Sequence, residues 1–265
     1  PEKPFCTGIN AVDDLLGGGL WPGRIAEIFG PESSGKTSLA LQLIASVQRQ
    51  GGTCAFIDAE HALNLSYAES LGVQVAELLV CQPASGEQAL GVVEELLLSS
   101  AACFVVVDSV AALTPQVELE RPLGESEPGA QAKMMSIGLR RLASATGRSR
   151  GTVLFLNQVR TRLGVTFGSQ ETTPGGRALR FYASTRLELR RLSTTSKGGE
   201  VKGLRIRLHL IKSRTTMPFR KADVPFTLGA GFGGPTMASG MARGTRDDNK
   251  GLRLGCGDAC VEKHR

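Results

Sequence analysis

The sequence predicts an α/β fold with a mainly parallel central sheet, helices on both faces and a β-hairpin extension. Short apolar runs at 25–29, 53–58, 78–81, 103–108 and 152–157 alternate with stretches whose apolar residues have helical spacing. This alternation is typical of parallel sheets covered by helices. The run at 103–107 is apolar throughout, as expected for a strand buried on both faces. Two extended runs, 184–193 and 201–213, flank Ser-Lys-Gly-Gly at 196–199, which indicates a hairpin.

Three regions are expected along the 265 residues. Residues 1–23 form a lead-in, residues 24–228 form the core, and residues 229–265, rich in glycine with little periodicity, form an irregular tail. The chain begins at Pro1 rather than Met, which favours a fragment or a trimmed chain. It has no run of 18 apolar residues and no secretory leader, so we expect a cytoplasmic protein with no membrane span.

A phosphate-binding loop follows the first predicted strand. The sequence there fits G-x-x-x-x-G-K-T, and an apolar stripe with helical spacing comes after it. Backbone N–H groups in such a loop and helix start point at phosphate oxygens. Lys36 is expected to reach the outer phosphates and Thr37 to hold Mg²⁺. The alternative is a chance glycine-rich turn. The predicted nucleotide-binding residues of this loop are Gly30, Pro31, Glu32, Ser33, Ser34, Gly35, Lys36 and Thr37.

Polar side chains lie at or just beyond the ends of three predicted strands. Asp108 ends an apolar strand, where a carboxylate can hold Mg²⁺; the alternative is an acidic strand end that faces solvent. Glu60 follows the second strand and could deprotonate an attacking water, although the residues alone favour a surface glutamate. Gln158 ends the fifth strand and could contact a terminal phosphate, or only the backbone.

The charge of the chain is unevenly distributed. Residues 1–130 hold 5 Lys and Arg against 17 Asp and Glu, whereas residues 131–265 hold 26 against 8. A strongly basic half favours a polyanionic partner. Two alternatives are a solvated surface and complementary halves that pair between subunits.

The motifs together resemble the bacterial RecA recombinases. The resemblance rests on the loop at 30–37, residues 56–63 and 105–115, Asn157-Gln158, and Glu-Thr-Thr-Pro-Gly-Gly at 171–176. It runs from about residue 7 to about residue 231. It implies ATP and Mg²⁺ as cofactors.

The resemblance also implies individual roles. Glu60 would be the catalytic carboxylate and Gln158 the sensor of the γ-phosphate. Tyr67 would stack on adenine. Lys212 and Arg214 would reach across a filament interface to the neighbour's nucleotide, with Arg214 standing where the family has lysine. Cations supplied in trans contribute about 10³–10⁵ in rate in related phosphoryl transfer, so hydrolysis would depend on assembly.

Two loops, at about 118–129 and 159–176, and the helix predicted at 130–147 would face DNA. Contacts from arginine and backbone N–H groups to phosphates bind DNA without reading its bases. Pro128 departs from the methionine usual in the first loop. The predicted DNA-binding residues are Lys133, Ser136, Arg140, Arg160, Arg162, Gly175, Gly176, Arg177, Arg190, Arg191 and Arg207.

The resemblance therefore implies a DNA-dependent ATPase that forms an ATP-dependent filament on single-stranded DNA and pairs it with a homologous duplex. A repressor of the DNA damage response is a further expected partner. The alternative is a paralogue or truncated remnant that binds nucleotide and DNA without productive assembly or hydrolysis. The family's N-terminal packing helix and C-terminal domain are not recognisable, which supports this alternative. The recombinase is supported by the intact site residues Lys36, Glu60, Asp108, Gln158 and Lys212. A hexameric DNA motor is a third reading, which the second loop argues against.

Overall fold

The computed structural model describes residues 3–122, 125, 127–161, 171–197 and 200–233. Arg162 and the tail from residue 234 onward lie outside the described residues. Within the described part, nine strands form one sheet in the order β11-β10-β9-β8-β1-β5-β4-β2-β3, and β6 pairs with β7. The strands are β1 (Ile25–Gly30), β2 (Cys54–Asp58), β3 (Leu79–Cys81), β4 (Phe104–Asp108), β5 (Thr152–Gln158), β6 (Arg160–Thr161), β7 (Glu171–Thr172), β8 (Thr185–Lys197), β9 (Glu200–Ser213), β10 (Lys221–Thr227) and β11 (Gly231–Phe232).

The sheet has a parallel part and an antiparallel part. Strands β8, β1, β5, β4, β2 and β3 run parallel, and β9, β10 and β11 are added in antiparallel pairs. This confirms the predicted fold class, including the hairpin formed by β8 and β9. Because carboxyl ends of parallel strands meet at one edge, the ends of β1, β2, β4 and β5 share what we call the carboxyl edge. The opposite side is the amino edge.

Helices cover both faces of the sheet. They are α1 (Asn10–Leu16), α2 (Lys36–Arg49), α3 (Leu65–Ser70), α4 (Gly86–Leu98), α5 (Gln116–Leu119), α6 (Ala130–Ser149) and α7 (Ala178–Tyr182), with 3₁₀ turns at Val75–Glu77 and Val110–Ala112. Alternation along the strands sends one set of side chains to each face. One core joins α1, α2 and α3 to the sheet, with Leu39 and Ile44 buried. The other joins α4 and α6 to it, with Leu97 and Met135 buried.

Described residues outside 24–228 also pack against the core. Phe5 pairs with Leu20 in the lead-in, and its ring lies edge-on to Phe104 at 5.7 Å between centroids. At the other end, the buried Phe232 lies edge-on to Phe226, and its backbone N–H and C=O bond the side chain of Gln42 at 2.9 and 3.0 Å. These contacts join residues far apart in the chain, so local periodicity did not predict them.

The second predicted DNA loop is closed at its base. Arg160 and Thr161 pair in antiparallel register with Thr172 and Glu171. The central part of this loop lies outside the described residues. Among the described residues, no helix has the length and apolar character that a membrane span needs.

Candidate nucleotide and DNA site

The phosphate loop begins where the fully buried strand β1 ends at the carboxyl edge. Lys36 Nζ donates hydrogen bonds to the carbonyl oxygens of Gly30 and Pro31 at 3.1 and 2.8 Å. Gly35 starts α2 with φ of 86°, and a Cβ there would lie 2.9 Å from the Phe232 ring. The loop thus curls around the lysine side chain. Burial lowers the pKa of Lys36, and the charges of nearby Asp108, Glu60 and Glu32 oppose that shift.

Thr37 and Asp108 meet at the carboxyl edge, although 71 positions separate them. Thr37 Oγ1 donates to Asp108 Oδ2 at 2.9 Å. The pKa of Asp108 is raised to about 6, mainly by burial and in smaller part by the charge of Glu60, while the hydrogen bond from Thr37 opposes the rise. A hydroxyl and a carboxylate oxygen are the hard donors that Mg²⁺ prefers. The two residues predicted to hold Mg²⁺ are therefore neighbours.

Glu60 lies between the ends of β4 and β5. Its Oε1 accepts hydrogen bonds from Ser109 Oγ and, at 3.3 Å, from Gln158 Nε2. The predicted catalytic carboxylate and the predicted phosphate sensor are thus in direct contact. Ser109 was not predicted as a site residue; its position directly after Asp108 was the available signal.

The segment that carries Glu60 is anchored by a second carboxylate. Asp58 is 2% exposed, and its oxygens accept from the N–H groups of Ala62 and Leu63 at 3.0 and 3.3 Å. Gln82 Nε2 also donates to it at 2.9 Å. The sequence did not predict that Asp58 anchors the Glu60 segment, because its partners come from an adjoining turn and from the residue after β3.

Tyr67 lies on α3 and faces the phosphate-loop helix. Its hydroxyl is 2.7 Å from Ser38 Oγ in a hydrogen bond. Asn64 caps α3 by accepting from the Tyr67 N–H at 2.9 Å. The tyrosine predicted to stack on adenine is therefore hydrogen-bonded to α2, at a residue two positions after Lys36.

Lys212 and Arg214 lie at the amino edge. Lys212 Nζ donates to the carbonyls of Arg180 and Phe181 at 2.7 and 3.0 Å, and an Arg214 nitrogen donates to the latter at 3.4 Å. The backbone N–H of Arg214 bonds Ser184, whose own N–H bonds Ile25 at the start of β1. Ile25 and Gly30 are five residues apart on β1, and a strand rises about 3.3 Å per residue, so the distance between them is about 16 Å. The pair is therefore remote from the phosphate loop of its own chain.

Three predicted DNA contacts share one face of α6. Lys133, Ser136 and Arg140 are spaced i, i+3, i+7, and both cationic side chains are exposed. Arg160 and Arg177, which flank the second loop, are exposed as well. These residues stay predictions of DNA contact.

Both glycines at the base of the second loop pack against neighbouring elements. Gly175 has φ of 82°, and a Cβ there would lie 2.7 Å from Val110 Cγ1. At Gly176 a Cβ would lie 2.8 Å from that of Ala132. The loop base therefore touches both α6 and the turn that follows Asp108.

The remaining predicted cations are on the β8–β9 hairpin and are not all on one surface. Arg190 and Arg207 are cross-strand partners. Each is paired with a carboxylate: Arg190 with Glu188 at 2.7 Å, and Arg207 with Asp223 at 2.7 and 2.8 Å. Arg191 is registered with the buried Ile206 and so points to the other face.

The fold and the loop define a class of protein, the phosphate-loop nucleotide-binding proteins built on a parallel sheet. A family model described as "RecA N-terminal domain" matches residues 3–233. Protein RecA of Delftia acidovorans is 52% identical over 227 residues, covering 85% of this chain and 62% of that protein. Protein RecA of Synechococcus elongatus is 51% identical over 230 residues, covering 87% and 65%. The chain therefore belongs to the RecA family.

The chain spans 62–65% of the length of these two relatives. Among solved structures, the RadB recombinase matches with a TM-score of 0.63 and 22% identity, over 86% of this chain and 98% of that one. That likeness supports the fold.

Proposed function

We propose that this chain is a DNA-dependent ATPase that forms an ATP-dependent filament on single-stranded DNA and pairs that strand with a homologous duplex. The observation that carries the proposal is the meeting of three groups at the carboxyl edge. These are the Lys36 loop, the Thr37–Asp108 pair and the Glu60–Gln158 contact. Membership of the RecA family supports it.

ATP and Mg²⁺ fit the residues that are present. The loop offers backbone N–H groups and the Lys36 ammonium as hydrogen-bond donors. Phosphate oxygens would accept the hydrogen bonds that Lys36 donates to the loop carbonyls in this structure. At the Asp108 carboxylate, burial outweighs the opposing charge of Lys36 and the hydrogen bond from Thr37, so a bound cation would stabilise its charged form. Thr37 and Asp108 would hold Mg²⁺, which neutralises charge on the phosphates when it is bound.

Glu60 would act as the base toward the attacking water. Its hydrogen bonds from Ser109 and Gln158 fix the direction of one carboxylate oxygen. A γ-phosphate that draws the Gln158 amide away would free Glu60 and move the end of β5. Since β6 begins two residues later, that motion reaches the second loop directly.

Self-association would supply the remaining cations. Lys212 and Arg214 lie about 16 Å along β1 from their own phosphate loop, so they would act on a neighbour's nucleotide. Single-stranded DNA would lie along α6 and the second loop, held through its phosphates. A repressor of the damage response is a further proposed partner. A cytoplasmic setting is part of the same proposal.

The test is ATP hydrolysis measured with and without single-stranded DNA, with Glu60→Gln as the control. We expect strong stimulation by DNA, and a fall in rate of about 10²–10⁴-fold in Glu60→Gln with ATP binding retained. Nucleotide binding without stimulated turnover would instead support a relative that binds but does not assemble productively. DNA affinity should fall steeply with salt; a flat salt dependence would contradict the phosphate contacts.

A further inference from the structure

Gln131, in the first turn of α6, bridges two segments that belong to different parts of the site. Its Nε2 donates to the carbonyls of Val110 and Leu113 at 3.0 and 3.1 Å. Its Oε1 accepts from the Gly175 N–H at 3.2 Å. The partners fix the orientation of the amide, because two are acceptors and the third is a donor. One side chain thus uses both of its N–H groups and its oxygen.

The two bridged segments have distinct roles in the proposed function. The turn at Val110–Ala112 starts two residues after Asp108 and one after Ser109, which bonds Glu60. Gly175 belongs to the base of the second loop. Gln131 itself follows the first predicted DNA loop. From the helix that follows this loop, its amide therefore joins the turn beside the nucleotide site to the base of the second loop.

A second hydrogen bond holds the same loop base from the β5 side. Asn157 Nδ2 donates to the carbonyl of Pro174 at 3.3 Å, and Asn157 Oδ1 accepts from the Gln158 N–H at 3.0 Å. Gln158 contacts Glu60, which accepts from Ser109. These bonds and those of Gln131 close a ring through Glu60, the loop base and the turn after Asp108. Coupling between sites needs a contiguous contact set of this kind or a shared two-state element.

We propose that Gln131 is a positioning residue that couples DNA binding to hydrolysis by fixing the second-loop base to the turn after Asp108. The inference rests on the proposed function and assigns a coupling residue within it. Gln131 touches none of the reacting groups. It acts through Val110, Leu113 and Gly175, so its loss should leave DNA-free turnover intact and reduce the stimulation.

Two substitutions distinguish the hydrogen bonds that Gln131 donates to Val110 and Leu113 from the one that it accepts from Gly175. Gln131→Met keeps the size of the side chain and removes all three hydrogen bonds. Gln131→Glu keeps an acceptor for the Gly175 N–H and removes both donors. Gln48→Met is the matched control, because the Gln48 amide likewise bonds the N–H and C=O of one backbone residue, Gln74, each at 2.9 Å. Gln48 lies near the far end of α2 and is 6% exposed.

The experiment measures ATP turnover with and without poly-dT, and amide hydrogen exchange in a peptide spanning 171–177. For Gln131→Met we expect DNA-stimulated kcat to fall on the order of tenfold, as typical coupling strengths give, with DNA-free kcat and the KM for ATP unchanged. Exchange in that peptide should rise. Gln131→Glu should lose the stimulation and keep the protection. Gln48→Met should change neither.

Normal stimulation in Gln131→Met would overturn the inference. So would an equal fall in the DNA-free and DNA-stimulated rates, or the same effect in Gln48→Met, since each would mark a purely structural role. If the unmodified chain shows no stimulation, the proposed function fails. In that case, hydrogen exchange alone tests whether Gln131 connects the nucleotide site to the loop base. A non-hydrolysable ATP analogue should alter exchange at 171–177 in the unmodified chain and not in Gln131→Met.

Discussion

The carboxylate of Asp108 lies in a setting that opposes its ionisation, while the proposed role needs its charge. Burial is the largest cause of the rise of its pKa to about 6, and the nearby Glu60 adds to it. Thr37 and Lys36 lower the pKa of Asp108, but not enough to bring it back to its ordinary value. A buried, unfavourably ionised carboxylate is a typical cation ligand, because the cation removes the conflict.

Asp108→Asn should therefore stabilise the nucleotide-free, Mg²⁺-free chain in a pH-dependent way. The folded pKa lies above the unfolded value, so protonation supports the fold below about pH 4, and this support is lost as pH rises through 6. The pKa rises from 3.8 to about 6, and one pKa unit corresponds to about 1.4 kcal/mol, so the variant should gain on the order of 3 kcal/mol above pH 7 and almost nothing near pH 4.

Urea unfolding between pH 4 and 8, with a chelator present, measures this difference in unfolding free energy. Glu69→Gln, which changes an exposed carboxylate on α3, is the control and should follow the unmodified chain. A stability gain in Asp108→Asn that is the same at every pH would contradict the argument. With saturating Mg²⁺ and ATP, the unmodified chain should become more stable than Asp108→Asn, since only the unmodified chain keeps all the proposed Mg²⁺ ligands.

At the scale of elements, strand β1 holds a charge in a fully buried run. Glu27 is 0% exposed, and its Oε2 accepts from Arg186 Nε on β8 at 2.5 Å. Its Oε1 accepts from Asn157 Nδ2 on β5 at 3.0 Å. The Arg186 guanidinium also lies 4.6 Å from the centre of the Phe29 ring. The three strands are thus joined by a polar network directly beneath the phosphate loop and the second-loop base.

Arg186→Met should destabilise the chain by about 3–5 kcal/mol, because it leaves the Glu27 carboxylate buried and uncompensated. Adding Glu27→Gln to that variant should recover much of the loss, since the neutral amide still accepts from Asn157. Denaturant unfolding of both variants checks this. Arg141→Met, which breaks the exposed pair with Glu94, is the matched control and should cost far less. Equal losses in the single and double variants would show that Arg186 contributes packing and no charge compensation.

These elements also show what the sequence could predict. The phosphate loop and the four strands ending in Gly30, Asp58, Asp108 and Gln158 were predicted because each is a local pattern: a motif, an apolar run, a polar strand end. The Glu27–Arg186 pair was not, because its partners are 159 positions apart. Gln131 gave no signal either, since a glutamine in a helix start is compatible with solvent. The pairing of Arg207 with Asp223 likewise depends on strand register, because the two residues lie on adjacent strands.

At the scale of the whole molecule, the sheet separates the groups of the proposed active site. Lys36, Asp108 and Glu60 lie at the carboxyl edge, whereas Lys212 and Arg214 lie at the amino edge, beside Ser184 and the start of β1. A chain of this shape does not fold the two sets together. A head-to-tail interface, which places one edge of a subunit against the other edge of the next, would join them and would build a ring or an open filament according to its rotation.

This arrangement predicts complementation between two inactive variants. Glu60→Gln lacks the base and keeps the amino-edge cations; the double variant Lys212→Ala, Arg214→Ala lacks the cations and keeps the base. Each alone should lose most DNA-stimulated hydrolysis. In an equal mixture, random head-to-tail assembly makes about a quarter of the interfaces complete, so about a quarter of the unmodified rate should return.

The measurement is ATP turnover on poly-dT as the mixing ratio varies at constant total protein. Activity should be highest near equal amounts and lowest at both extremes. Mixing Glu60→Gln with Asp108→Asn is the control, because both variants damage the carboxyl edge and no interface in that mixture is complete. If the cation-deficient chain hydrolyses normally alone, or if no mixture regains activity while both variants still coat the DNA, Lys212 and Arg214 do not act across an interface. Recovery in the test mixture and none in the control would locate the complete active site between two copies of the chain.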